Sequence, residues 1–379
     1  MKHSAGYSVL HVHIAEGFGG AQTYTVELIR ELLERGVKVF LVGKSGSDLL
    51  NRLPLNQRFV IPVAGLFASM FKLFAILRVI NEQQIRVIHC HMSSDLRLAV
   101  LLKIFAPQIR LIYHSHVGVG RPKQDVLHRF VYAKVSRVIA ISSFVALSLL
   151  RKTPIREKTI SVIPYGIDTN RFSPVSNEEE RRALRRSLGI PEEALVLCLP
   201  SRLSAGKGHI TLVKALQLAA LAGPWLLLFP GSRDFSTPES KRYNDSLDAV
   251  LREDQAIAEK IKFLGHVDNV QDILRLSDIV CIPSSNEAFG LVVVEAMACG
   301  IATLGASSGA IPEIIGAEAG LLADPHDPRD WAEAITKLSK SQELRRHLGE
   351  KAMKEVLSKY NISGHVDRVL VEYAALVDS

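Results

Sequence analysis

The chain has 379 residues, 47% of them apolar and 22% charged, and carries a net charge of +7 at neutral pH. This length exceeds the roughly 250–300 residues at which a single core stops growing, so two domains are expected. The composition is that of a globular protein, and no apolar run approaches the ~20 residues needed to span a bilayer.

The N-terminal residues run straight into a strand without a signal-peptide pattern, which predicts a cytoplasmic protein. Cys90, Cys198, Cys281 and Cys299 are scattered with no C-x-x-C pair, so neither a disulfide framework nor a zinc site is expected. The charge is unevenly placed. Through Phe172 there are 23 Lys plus Arg against 10 Asp plus Glu, and beyond it 23 against 29. A basic first half favours an anionic partner: a phosphorylated acceptor, an acidic lipid surface or nucleic acid. No zinc-finger spacing, RNA-binding aromatic signature or basic-leucine pattern accompanies the charge, so nucleic acid is the weakest of the three.

Residues 9–14 read as a buried strand, 15–21 as a glycine-rich turn and 22–35 as an amphipathic helix closed by Gly36. Gly17, Gly19 and Gly20 permit close approach of a ligand. Gln22 stands where a dinucleotide fingerprint wants its third glycine, so that fingerprint fails. After a strand at 37–42, residues 65–84 form a helix whose Phe67, Met70, Phe71, Phe74 and Leu77 are expected in the core. The alternative is that part of this face meets a membrane surface. Strands at 87–89 and 111–113 end in His-Cys-His and His-Ser-His, and polar residues at successive strand ends are the usual place for a site in an open α/β sheet. His89, His91, His114 and His116 lack a carboxylate or cysteine to complete a metal set, so no metal is expected. Ser142, after a strand at 138–141, is a helix cap.

A polar run at 174–186 marks the domain boundary. The second half restarts with a strand at 195–199, the loop Ser-Arg-Leu-Ser-Ala-Gly-Lys-Gly and a helix from His209. Further strands follow at 225–229 and 279–282, and residues 331–379 are helical. Strands alternate with helices in both halves, the pattern of two doubly wound parallel sheets. Arg202 and Lys207 can place two cations on one pyrophosphate, stabilising charge that develops as a diphosphate departs. No D-x-D metal motif occurs. In Pro-Ser-Ser-Asn-Glu-Ala-Phe-Gly-Leu-Val-Val-Val-Glu-Ala-Met-Ala-Cys-Gly, Glu287 lies in a loop and Glu295 inside an apolar, buried helix. Burial penalises a carboxylate there unless something hydrogen-bonds it. The amides of Phe289, Gly290 and Leu291, between the two acids, make an anion-seeking helix start.

Gly-Phe-Gly-Gly-Ala near the start, Pro-Tyr-Gly-Ile-Asp-Thr-Asn-Arg-Phe at the hinge, Ser-Arg-Leu-Ser-Ala-Gly-Lys-Gly-His and the two-glutamate stretch together resemble the retaining nucleotide-sugar glycosyltransferases of bacterial surface glycans. The resemblance covers nearly the whole chain. It implies the GT-B fold, two Rossmann-like domains: 1–172 for the acceptor, 173–360 for the nucleotide-sugar, with a last helix at about 361–379 packed back on the first. It implies that Arg202 and Lys207 hold the donor phosphates and that Glu287 faces hydroxyls of the donor sugar. Glu295 then accepts from ribose hydroxyls, while Phe289, Gly290 and Leu291 approach sugar and phosphate. Gly19 and Gly20 match the loop that closes over the donor phosphate. His116 matches the histidine beside the reacting sugar, with His114 as an offset alternative. Ser201, Tyr165 and Ser308 stand where Gly, Asn and Gly are frequent in the family.

The function so implied is transfer of a hexose or N-acetylhexosamine from a UDP- or GDP-sugar to an anionic or lipid-linked glycan, with retained configuration and without metal or other cofactor. A place in lipopolysaccharide, capsule or other surface-polysaccharide assembly follows, at the inner face of an anionic membrane. Two other classes compete: an NAD(P)-dependent oxidoreductase on two Rossmann domains, and a non-catalytic sugar-nucleotide-binding subunit.

Overall fold

Thirteen parallel strands build two sheets in the computed structural model, which describes residues 8–14, 19–53, 60–65 and 71–378. The first sheet holds β1 (Ser8–His13), β2 (Lys38–Lys44), β3 (Val60–Val63), β4 (Ile85–Cys90), β5 (Arg110–Ser115), β6 (Arg137–Ala140) and β7 (Ile160–Val162). Its order is β3-β2-β1-β4-β5-β6-β7. The second holds β8 (Leu195–Cys198), β9 (Trp225–Pro230), β10 (Ile261–Gly265), β11 (Ile279–Ile282), β12 (Ala302–Ala306) and β13 (Leu321–Ala323), ordered β10-β9-β8-β11-β12-β13. Central strands are covered on both faces by crossover helices, which is why they read as continuous apolar runs. All four residues of β11 are buried. All six of β1 are buried too, although two of them are histidines.

Two compact units contain these sheets: Met1–Gly166 with Ile362–Ser379, and Ile167–Asn361. The division after Gly166 falls inside the Pro-Tyr-Gly-Ile-Asp motif. Helix Ile362–Val377 is fastened to the first sheet's unit by Tyr373, whose hydroxyl meets His89 Nδ1 at 2.5 Å, and by Glu372, paired with Arg137 at 2.8 Å. Arg35 donates to Ser363 O at 2.8 Å.

Local signals act where sequence places them. Ser142 caps helix Ser143–Lys152 by accepting from Val145 N at 3.1 Å. All four cysteines are buried and unpaired. Helix Leu291–Ala298 buries Val293, Val294, Ala296, Met297 and Ala298. Burial of each of Val293, Val294 and Met297 stabilises the fold by about 1.5–3 kcal/mol.

One expectation is corrected. Phe71 and Phe74 are not core residues: they are 92% and 81% exposed, and helix Leu73–Glu82 turns Leu73, Ile76 and Ile80 inward instead. The aliphatic stripe at i, i+3, i+7 faces the sheet, which leaves the aromatics outside. Phe67 and Met70, like Gly17, lie outside the described residues. No helix among the described residues is long and apolar enough to cross a membrane.

Candidate functional site

In each sheet the strand order reverses beside the first strand of its unit, between β1 and β4 and between β8 and β11. Loops leaving such neighbours diverge and open a crevice at the carboxyl ends of the strands.

In the second unit the crevice lies between the loop after β8, carrying Arg202 and Lys207, and the loop after β11, carrying Glu287. Ser285 N donates to Gly206 O at 2.9 Å, which ties the two backbones together. Gly208 has φ +79°, and a Cβ there would lie 2.5 Å from Pro283 O, so only glycine lets the loops approach this closely. The loop after β12 supports Glu287 from behind. Ala310 N donates to Glu287 O at 2.9 Å, and Asn286 N to Ser308 Oγ at 3.2 Å. A Cβ on Gly309 would sit 2.6 Å from Glu287 N. Ser308, in place of a glycine frequent in the resembling family, thus serves as an acceptor for the Glu287 loop.

This scaffold brings Lys207 and Glu287 into a direct ion pair, ammonium on carboxylate. Both side chains keep partial exposure, 31% and 23%, so the pair is open to exchange with an incoming ligand. Arg202 is exposed, and its charge acts on Asp234. Glu295 is half-buried in helix Leu291–Ala298. Burial pushes its carboxyl up to about 7, with Arg171 opposing the rise. Its carboxyl makes no hydrogen bond among the described residues, while its backbone oxygen accepts from Cys299 N at 3.2 Å. Near neutral pH such a group both donates and accepts, which suits a hydroxyl ligand. Gly290 caps that helix in the left-handed region, Leu291 begins it, and Phe289 is buried with its ring against Tyr360.

In the first unit, Gly19 is extended and caps helix Gly20–Glu34; both glycines are exposed. His116 is 6% exposed, and both its ring nitrogens are engaged: Nδ1 with Tyr165 Oη at 2.5 Å and Nε2 with His91 Nδ1 at 3.2 Å. It is one member of an assembly larger than the sequence disclosed. His11, His13, His89, His91, His114, His116 and His365 are all buried here, with Tyr24, Tyr165 and Tyr373 among them. His11 Nδ1 meets His91 Nε2 at 2.9 Å, and His89 Nε2 meets His114 Nδ1 at 3.1 Å. Burial, and then the neighbouring imidazoles, holds His89, His91, His114 and His116 far below the usual histidine range. The available signal was His11-Val12-His13, the same i, i+2 pattern as at the ends of β4 and β5; His11 pairs in register with His89.

Two triads, His11–His89–His91 and His91–His114–His116, keep their nitrogens within 4.8 Å of one another. Their rings are near-parallel, 3° between His91 and His116 and 8° between His89 and His114. Facing ring nitrogens meet at hydrogen-bond distance, so the rings form hydrogen-bonded tapes.

The same unit has a cavity of about 320 Å³ beside the loop after β4, lined by Ser93, Arg97, Lys123 and His128 among others. Lys123 donates to Ser93 Oγ at 3.0 Å. Burial, and then the charge of Arg97, lowers its pKa.

Residues 180–355 match the family model "Glycosyl transferases group 1", and residues 18–171 match "Glycosyltransferase Family 4". A D-inositol 3-phosphate glycosyltransferase of Corynebacterium jeikeium is 36% identical over 200 residues, 51% of this chain and 46% of that protein. The match therefore spans about half the length of that relative. A D-inositol 3-phosphate glycosyltransferase of Geodermatophilus obscurus is 28% identical over 373 residues, 87% of this chain and 81% of its own. Among solved structures, Anabaena Alr3699/HepE in complex with UDP and glucose superposes with a TM-score of 0.81 at 18% identity, covering 97% of this chain and 100% of that one. The fold is GT-B.

Proposed function

We propose that this chain, which has the GT-B fold and whose residues 180–355 match the glycosyl transferases group 1 family model, transfers a hexose or N-acetylhexosamine from a nucleotide-sugar to an anionic acceptor, with retention and without a metal. The observation that carries this reading is the Lys207–Glu287 pair at the reversal of the second sheet, with Glu295 one helix turn beyond the same loop. In this reading Arg202 and Lys207 take the diphosphate, and Glu287, released from Lys207, accepts from the sugar. Glu295 takes the ribose hydroxyls. The departing phosphate oxygen receives the acceptor proton on the face from which the sugar leaves. Charge developing on that oxygen is stabilised by cations already in place.

The family resemblance assigns Gly19 and Gly20 of the first unit to the donor phosphate and His116 to the reacting sugar, and these roles are part of the proposal. The acceptor's negative charge is supported by Arg97 and Lys123, two cations in a cavity whose lining contains no carboxylate. Relatives named for a phosphorylated inositol point the same way. A surface-glycan or lipid-linked acceptor at an anionic membrane has its support in the basic first half and the exposed Phe71 and Phe74.

Thermal unfolding across UDP-, GDP- and ADP-sugars tests the donor class. One nucleotide is expected to raise the melting temperature by about 5 °C or more at a hundred times its Kd. Equal melting with every nucleotide-sugar and without any would remove the donor-binding reading.

A further inference from the structure

The seven buried histidines of the first unit form a network whose proton positions are fixed by two anchors. Thr25 Oγ1 spends its single hydrogen on Ala21 O at 2.9 Å. It can therefore only accept from His13 Nδ1 at 2.9 Å and His91 Nδ1 at 3.3 Å. His91 thus carries its proton on Nδ1, and its bare Nε2 accepts from His11 Nδ1. The proton on His91 Nδ1 also faces His116 Nε2, which must be bare, so His116 Nδ1 donates to Tyr165 Oη.

The second anchor is Pro164 O, which accepts from His365 Nδ1 at 2.7 Å. His365 Nε2 then accepts from the Tyr24 hydroxyl at 2.8 Å, and Tyr24 oxygen accepts from His114 Nδ1 at 3.4 Å. That same proton faces His89 Nε2 at 3.1 Å, so His89 Nδ1 donates to Tyr373 Oη. Both tapes resolve to one polarity, every histidine protonated on Nδ1. Among the described residues, the imidazole atoms left without a partner are His11 Nε2, His13 Nε2 and His114 Nε2. All three come out as bare acceptors, the less costly kind of orphan.

The tapes end on the chain crossings. Pro164 and Tyr165 immediately precede the passage from the first unit into Ile167–Asn361, and His365 follows the passage back at Ile362. We propose that Tyr165 and His365 are positioning residues that fasten these two crossing segments to the strand ends bearing His116 and His114. The kinetic consequence rests on the transferase reading; the proton positions do not. Tyr165 holds His116 in one tautomer and one orientation, and His116 in return holds the hinge segment.

Long-range ¹H–¹⁵N NMR of the histidine rings near pH 7.5 reads the tautomers directly, and Tyr165→Phe keeps the ring stacked on Tyr24 at 4.4 Å while removing the acceptor oxygen. The expected wild-type spectrum shows His116 and the other six buried histidines protonated on Nδ1. In Tyr165→Phe, His116 loses its single tautomer, and kcat falls about tenfold with donor Kd unchanged, the signature of lost positioning. A wild-type His116 protonated on Nε2 overturns the proposal, as does a Tyr165→Phe protein with unchanged His116 shifts. If Tyr165→Phe does not fold, the wild-type spectrum decides alone. Absence of any transfer by the wild-type protein counts against the transferase reading and leaves the NMR result to judge the network.

Discussion

Lowering the pH from 7.5 toward 5 is expected to unfold the first unit cooperatively, with uptake of several protons, while the second unit resists further acidification. The cause is the neutral histidine network. Burial first, and the His13 charge next, pushes His11 down to about 3; burial lowers His13 and His365 to about 4, and His89, His91, His114 and His116 lie well below the ordinary value. A histidine whose folded pKa is depressed binds its proton more readily in the unfolded chain, so stability is complete above about 6.5 and is lost as pH falls below it. Each such group costs about 1.4 kcal/mol per pH unit in that window. Seven together reach the whole stability of a typical domain, about 5–15 kcal/mol, within one or two units. The second unit has one buried histidine among the described residues, His209, lowered to about 3 chiefly by burial. Circular dichroism and calorimetry between pH 7.5 and 4.5 check this. A first unit still folded at pH 4.5 would mean that these imidazoles are not buried as described.

The second large effect concerns the ion pair at the candidate donor site. Lys207→Ala is expected to lower transfer on the order of 10²–10³-fold, because a fixed cation is lost where charge develops on the leaving diphosphate. Glu287→Gln separates the two roles of its carboxylate. Lys207 is then free before ligand arrives, so the nucleoside diphosphate alone binds a few-fold more tightly, while sugar transfer falls on the order of 10²-fold. Calorimetric titration with the nucleotide beside a transfer assay reads both. Weaker nucleotide binding in Glu287→Gln would show that the pair does not compete with the ligand.

How much of this was legible in the sequence depends on what each signal encoded. Residues 279–282 read as a buried strand and form β11, because a short apolar run bounded by polar residues has few other outcomes in an alternating α/β chain. Arg202, Lys207, Glu287 and Glu295 stand out as candidates by their loop and helix positions, since each is a charged residue at a strand end or in an apolar helix. Direct pairing of Lys207 with Glu287 was not legible: it depends on Gly208 and Gly309 letting three loops close, a matter of backbone contact between distant segments. The aromatic face at Phe71 and Phe74 is misplaced by a reading of one helix over 65–84: the helix starts at Leu73, Phe71 precedes it, and the aliphatic Leu73, Ile76 and Ile80 take the inward face. His116 and its neighbour His91 stand out in the sequence, yet their links to Tyr165 and His11 do not. His11 and Tyr165 are 105 and 49 positions from His116, and only the parallel register of β1, β4 and β5 and the hinge segment bring them into one network.

The proposed activity is transfer of a sugar from a nucleotide to an anionic acceptor with retention. It is tested most directly by incubating the protein, with a chelator present, with the nucleotide-sugar that raises its melting temperature and with an inositol phosphate, and assigning the product's anomeric centre by NMR. The predicted result is a glycosylated acceptor with the donor's anomeric configuration. An inverted product, or only free sugar and nucleotide, would contradict it.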